Sequence, residues 1–124
     1  MRDLSEQTLC FYTAVYLAVQ QVPLGRVTTY GHIGFLIGAP QNPRQVGTAL
    51  KVLSHNTANE FNNINVPWWR VISAQGKISP RLTGGGEEDH QMIKLMEDGV
   101  EVSVGINRRI DLEKYGWFPE ELVD

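Results

Sequence analysis

A winged helix-turn-helix, α/β in class and mostly helical with small hairpins, is the fold this 124-residue sequence predicts. Three observations point to it. Apolar residues recur at helical spacing over the first quarter of the chain, two short capped helices joined by a tight turn follow, and "WRVIS-AQG-KIS" then reads as strand, turn and strand. With 42% of its residues apolar, the chain is expected to form a single domain over residues 1–124 around one modest core.

The first helix is predicted from about Ser5 to Gln21, with Asp3 or Ser5 as cap and Phe11, Ala14, Val15, Ala18, Val19 and Val22 on its buried face. Cys10 lies beside that stripe and is expected to be a buried, inert thiol, since no basic residue is near in sequence to form a thiolate. After the turn in "VPLGRVTTYG", Thr29 caps a second helix of roughly Tyr30–Ile37, which Gly38 stops. Asn42 as cap and Pro43 at the first helical position open a third helix, about 43–54, that buries Val46, Ala49, Leu50 and Leu53. The asparagine-rich stretch 55–65 lacks periodicity and reads as a long exposed loop. "EEDHQMIKLMEDG" is a fourth helix with acids in its first turn and Gly99 as its stop. "VEVSV-GIN-RRIDL" is a second hairpin candidate, and the aromatics of "KYGWFPEELVD" are expected to pack back on the core.

Composition excludes several function classes. One cysteine rules out an intrachain disulfide and a cysteine-based zinc cluster. The sequence has no H-E-x-x-H, no P-loop and no G-x-G-x-x-G after a strand, so no metal and no cofactor is expected. The N-terminal segment is too polar for a signal peptide or a bilayer span, which implies an intracellular protein, cytoplasmic in a prokaryote or nuclear in a eukaryote. The net charge of −3 is unevenly divided: residues 23–86 hold six Lys/Arg against one acid, +5, and the remainder five against thirteen, −8. A basic middle on an acidic support suits a nucleic-acid face, although ordinary solvated charge fits as well.

Three residues fit a purely structural role poorly. Arg44 stands in the first turn of the third helix, where the dipole disfavours a cation by roughly 0.3–1 kcal/mol. It is either solvated or placed to reach a phosphate or a groove. Gly47 inside the same helix costs about 1 kcal/mol against alanine, which either helix packing or the close approach of a partner would explain. With Gln45 and Thr48 it makes a narrow outward face, better suited to a tight groove than to reading bases in the major groove. Tyr30 could touch phosphates or be a core aromatic. The paired Trp68 and Trp69 raise a further question, because neighbours on a strand face opposite sides and one buried surface cannot take both rings.

Together, "VPLGRVTTYGHIGFLIGAP", "PRQVGTALK" and "VPWWRVISAQGKISPR" resemble, in order and spacing, the DNA-binding domain of O6-alkylguanine-DNA alkyltransferases and, more closely, the alkyltransferase-like proteins. The resemblance covers about residues 10–104. Those transferases carry Pro-Cys-His-Arg where this chain has Pro67-Trp68-Trp69-Arg70, so Trp68 stands in the place of the alkyl-accepting cysteine. Alkyl transfer needs a thiolate, and a donor-only indole N–H cannot become one.

The resemblance implies a non-enzymatic, monomeric protein that binds duplex DNA through the minor groove and flips O6-alkylguanine out of the stack. It would hold the lesion unrepaired for nucleotide excision repair proteins. It further implies that Arg44 fills the gap left by the flipped nucleotide, while Tyr30 pushes on the phosphate and lines the lesion pocket. The third helix, with Gln45, Gly47, Thr48, Ala49 and Lys51, would be the minor-groove recognition helix. Backbone carbonyls of Trp68 and Val71 would meet the guanine edge, Leu50 and Ile78 would form apolar pocket wall, and Arg81 would lie over the extruded base. The acid of the transferase relay maps to Asp98, with a structural role, and Trp69, in place of the usual histidine, is expected to turn inward and pack. Two other classes stay open: a winged-helix module for undamaged DNA or a protein partner, and residual alkyl transfer using Cys10 or a water near His32 or His55.

Overall fold

The computed structural model describes residues 5–78, 87–103 and 108–124, with the side chains of 87–89 outside the description. Helix α1 spans Glu6–Gln20, and its cap is Ser5, whose hydroxyl accepts the Thr8 N–H. Val15, Ala18, Val19 and Val22 are buried as the periodicity requires. Cys10, however, is exposed, which corrects the expectation of a buried thiol. Seven residues on, and so on nearly the same face, Leu17 is exposed too.

Strand β1 is Thr28–Thr29, and Thr29 then caps α2, Tyr30–Leu36, by accepting the His32 N–H at 3.1 Å. Gly38 follows at φ 80°, a left-handed conformation open to glycine. Helix α3 spans Pro43–Lys51. Its side-chain cap is absent: Asn42 sits at φ −120°, ψ 45°, away from the extended geometry that aims a side chain at the first turn, and only its carbonyl is used, by Val46 N–H. At the other end the Tyr16 hydroxyl donates to the Ala49 carbonyl at 2.6 Å, serving one of the last-turn acceptors that the helix leaves open. Burial pushes the Tyr16 hydroxyl pKa up to about 12, with a smaller push from Tyr12.

The expected strand over "WRVIS" is corrected. Trp68–Arg70 form a 3₁₀ turn, and only Val71–Ile72 are extended, as β2. β2 pairs in parallel with β1, Thr28 opposite Val71 and Thr29 opposite Ile72. The reason lies in Asp98, whose Oδ2 accepts both the Trp69 indole N–H at 2.9 Å and Arg70 Nε at 2.8 Å. Neighbouring residues of a strand point to opposite faces and could not share one oxygen, whereas a 3₁₀ turn sets them about 120° apart. The turn itself is present: Ser73 N–H meets the Lys77 carbonyl at 3.2 Å, and Gly76 has φ 77° with the Ile110 carbonyl 2.7 Å from where a Cβ would stand. The returning arm then pairs antiparallel through Lys77 and Arg109.

The 55–65 loop is more ordered than its lack of periodicity suggests. Asn62 is buried, its Oδ1 accepts the N–H groups of Ile64 and Asn65, and Asn65 Oδ1 accepts the Asn62 N–H. These side chains replace a backbone ladder with local hydrogen bonds. Phe61 anchors the loop against Tyr16, ring centroids 5.4 Å apart.

Helix α4 is Glu87–Glu97, and Gly99 at φ 92° ends it. Ser103 and Arg109 form the antiparallel bridge expected of the second hairpin, whose turn at 104–107 lies outside the described residues. After the short α5, Leu112–Tyr115, the tail folds back. Val27 N–H bonds the Tyr115 carbonyl and Trp117 N–H the Val27 carbonyl, while the Gln21 amide holds the Val123 backbone by both its N–H and its carbonyl oxygen. Two packed clusters result, one among α1, α2 and α3, the other around Trp69, Ile72, Leu95 and Val100, with Trp68 against both. Among the described residues no helix is long and apolar enough to cross a membrane.

Candidate nucleic-acid interface

The outward face of α3 carries Arg44, Gln45, Thr48 and Lys51, all exposed, while Val46 and Ala49 point into the core and Leu50 is half-buried. Among the described residues Arg44 has neither a hydrogen bond nor an ion pair through its guanidinium. Thr48 turns its hydroxyl back to the Arg44 carbonyl at 3.2 Å, so this face offers few strongly held polar groups. Lys51 sits in the last turn, where the dipole favours a cation. Gly47 is half-buried opposite Tyr30, and a Cβ there would meet the tyrosine ring at 3.7 Å, ordinary contact. Helix packing therefore does not require glycine at this position.

Tyr30, Leu50 and Trp68, each half-buried, pack against the same cluster that contains Val71. Ile78 is buried in the second cluster, which Trp68 also touches. Of the six expected pocket residues, Tyr30, Leu50, Trp68 and Val71 thus belong to one cluster and Ile78 to the other, with Trp68 against both; Arg81 lies outside the described residues. The two carbonyls expected to meet a base both take part in internal hydrogen bonds: that of Trp68 accepts the Val71 N–H, and that of Val71 accepts Gln91 Nε2 at 3.2 Å. A carbonyl oxygen has two lone pairs, so that of Val71 can accept a second hydrogen bond beside the one from Gln91.

Trp69 turns inward as expected. It is 7% exposed, stands edge-on to Trp68 at 5.9 Å and 88°, and has the Lys94 ammonium 4.7 Å and the Arg70 guanidinium 5.5 Å from its ring centroid. Asp98 ties Trp69 to Arg70, and Arg70 Nη1 reaches the Val22 carbonyl at the end of α1. The Trp68 ring also meets His90 of α4 edge-on at 5.8 Å. Sequence reasoning missed both His90 and its neighbour Gln91. The available signal was Gln91 and Asp98, polar residues four before and three after Leu95 on the buried stripe of α4. Of the other histidines, His32 Nε2 is 2.7 Å from the Pro119 carbonyl and His55 Nδ1 is 2.9 Å from Asn63 Nδ2.

Residues 10–100 match the family described as 6-O-methylguanine DNA methyltransferase, DNA binding domain. Alkyltransferase-like protein 1 of Schizosaccharomyces pombe is 43% identical over 112 residues, 88% of this chain and 95% of that one. A DNA base-flipping protein of Vibrio parahaemolyticus is 39% identical over 110 residues, 88% of this chain and 97% of that one. Among solved structures, S. pombe Atl1 in complex with damaged DNA containing O6-carboxymethylguanine superposes with a TM-score of 0.77 at 39% identity, covering 96% of this chain and all of that one. With a tryptophan at the position of the transferase cysteine and this identity along most of its length, the chain belongs to the 6-O-methylguanine DNA methyltransferase DNA-binding-domain family and, within it, to the alkyltransferase-like proteins.

Proposed function

We propose that this protein binds O6-alkylguanine in duplex DNA, holds the flipped base without transferring its alkyl group, and leaves removal to nucleotide excision repair proteins. The observation that carries the reading is the pair Trp68 and Trp69. An indole occupies the nucleophile's place, and its neighbour is a second indole buried against Asp98, so the turn itself carries neither a thiol nor an imidazole. Membership of the alkyltransferase-like proteins, one of them solved on damaged DNA, supports the lesion as ligand.

In this reading α3 enters the minor groove. Gln45, Gly47 and Thr48 let the helix backbone approach closely, whereas Ala49, expected on this face, is fully buried in the core; Lys51 faces a phosphate, and Arg44 fills the vacated stack. Tyr30 presses on the phosphate of the turned nucleotide. The base then rests among Leu50, Trp68 and Ile78 under Arg81, its edge on the carbonyls of Trp68 and Val71. Damaged bases cost less to extrude, which is the source of selectivity. Residual catalysis is disfavoured because alkyl transfer needs a thiolate and an indole fills the nucleophile's place.

Tryptophan fluorescence titration with matched duplexes tests the proposal. A duplex with O6-methylguanine is expected to bind at least about tenfold more tightly than one with guanine, equivalent to ~1.4 kcal/mol. Equal affinities would leave a winged-helix module without lesion preference, and radiolabel passing from an alkylated duplex to protein or solvent would make it an enzyme.

A further inference from the structure

We propose that Gln91 is a positioning residue for lesion recognition: it presets the carbonyl that reads the 2-amino group of the flipped purine, without touching DNA itself. Gln91 lies on α4, is 1% exposed, and donates from Nε2 to the carbonyls of Trp69 and Val71, both at 3.2 Å. Chemistry fixes the orientation of this amide, since the reverse would set its oxygen against two carbonyl oxygens. Its own oxygen, Oε1, is consequently buried with no hydrogen-bond partner among the described residues.

A core-filling role does not account for that arrangement. An apolar side chain, such as Leu95 one turn further along α4, fills the same cluster without orphaning an acceptor. What the amide achieves is to hold two carbonyls, one on either side of Arg70, with a single NH₂ group. That fixes both peptide planes between the 3₁₀ turn and β2. The effect extends to Trp68, whose carbonyl accepts the Val71 N–H. Gln91 thereby sets the direction of the Val71 carbonyl, one of the two assigned to the guanine edge, and leaves that oxygen able to accept a second hydrogen bond. A weakly anchored peptide at this site would rotate instead of presenting a fixed acceptor. The inference rests on the proposed reading of that edge, and the ligand feature it concerns is the exocyclic amine of a 2-aminopurine-type lesion.

The test compares duplexes carrying O6-methylguanine with identical duplexes carrying O6-methylhypoxanthine, which lacks the 2-amino group. Wild type is expected to prefer the amine by about tenfold, the scale of one hydrogen bond in a site closed to water. In Gln91→Met, which keeps the volume and loses both donors, that preference is expected to fall to about twofold, with affinity for O6-methylhypoxanthine nearly unchanged. Because each ratio compares the same two duplexes, the intrinsic flipping cost of the DNA cancels between wild type and variant. Gln91→Leu carries the same comparison if the methionine variant does not fold, folding being checked by circular dichroism. If wild type shows no amine preference, the carbonyl reading itself is overturned. If wild type shows it and the variants keep it, or lose affinity for both duplexes equally, Gln91 is a structural residue and the inference is overturned.

Discussion

Trp69, Arg70 and Asp98 show at the residue scale how one carboxylate fixes the geometry of a turn. The Trp69 indole N–H and Arg70 Nε both donate to Asp98 Oδ2, at 2.9 and 2.8 Å. Arg70 and Asp98 are 13% and 10% exposed in their side chains, so the pair is largely shielded from solvent. Removing one partner leaves the other charge buried without compensation. Asp98→Ala is therefore expected to destabilise the fold by about 3–5 kcal/mol, seen as a lower urea midpoint. A loss below about 1 kcal/mol would mean that water replaces the carboxylate and that the turn does not depend on it.

Helix α3 raises its question at the scale of an element. Its glycine lowers helix stability, yet the position has room for a methyl group against Tyr30. Gly47→Ala is expected to raise the unfolding free energy by up to about 1 kcal/mol while weakening binding to every duplex by about tenfold, because the added methyl group holds the backbone off the groove. Denaturation and titration of the same variant separate the outcomes. Unchanged affinity would show that no partner approaches this turn, and lost stability would restore a packing role. The turn at Trp68–Arg70 makes the complementary point. Strand patterning misreads this segment because its geometry is dictated by a carboxylate about thirty residues away, not by its own alternation.

Charge and closure belong to the whole molecule. The basic middle of the sequence places Arg44 and Lys51 on one exposed face of α3, whereas the acids of the chain's remainder include Glu97, Glu101, Asp111 and Glu113 on and around α4 and α5. Binding is accordingly expected to weaken as salt rises, through released counterions. Lys51→Ala should lower affinity for lesion and control duplexes alike and reduce the slope of log K against log salt by about 0.9. Arg44→Ala should chiefly reduce the preference for the lesion. Titrations at several salt concentrations distinguish these, and a Lys51 variant with an unchanged slope would place that residue away from the phosphates.

Much of this was legible along the chain. Helices α1, α2 and α4, the stops at Gly38 and Gly99, and the inward turn of Trp69 were readable because periodicity, caps and left-handed glycines are local signals. The exposure of Cys10, the missing side-chain cap at Asn42 and the parallel β1–β2 pairing were not, because each depends on what a residue meets from elsewhere. The candidate site divides in the same way. The residues themselves brought forward Tyr30, Arg44, Gly47 and Trp68, and the family resemblance added Arg81. Neither pointed to Gln91 or His90, which reach the turn only when α4 packs across it. By itself the sequence determined which atoms are available: an indole instead of a thiol, and hence no nucleophile at that position. Only the tertiary structure decided the direction of the neighbouring carbonyls, because peptide orientation is set by hydrogen bonds from a separate helix, and such bonds leave no periodic trace in the chain.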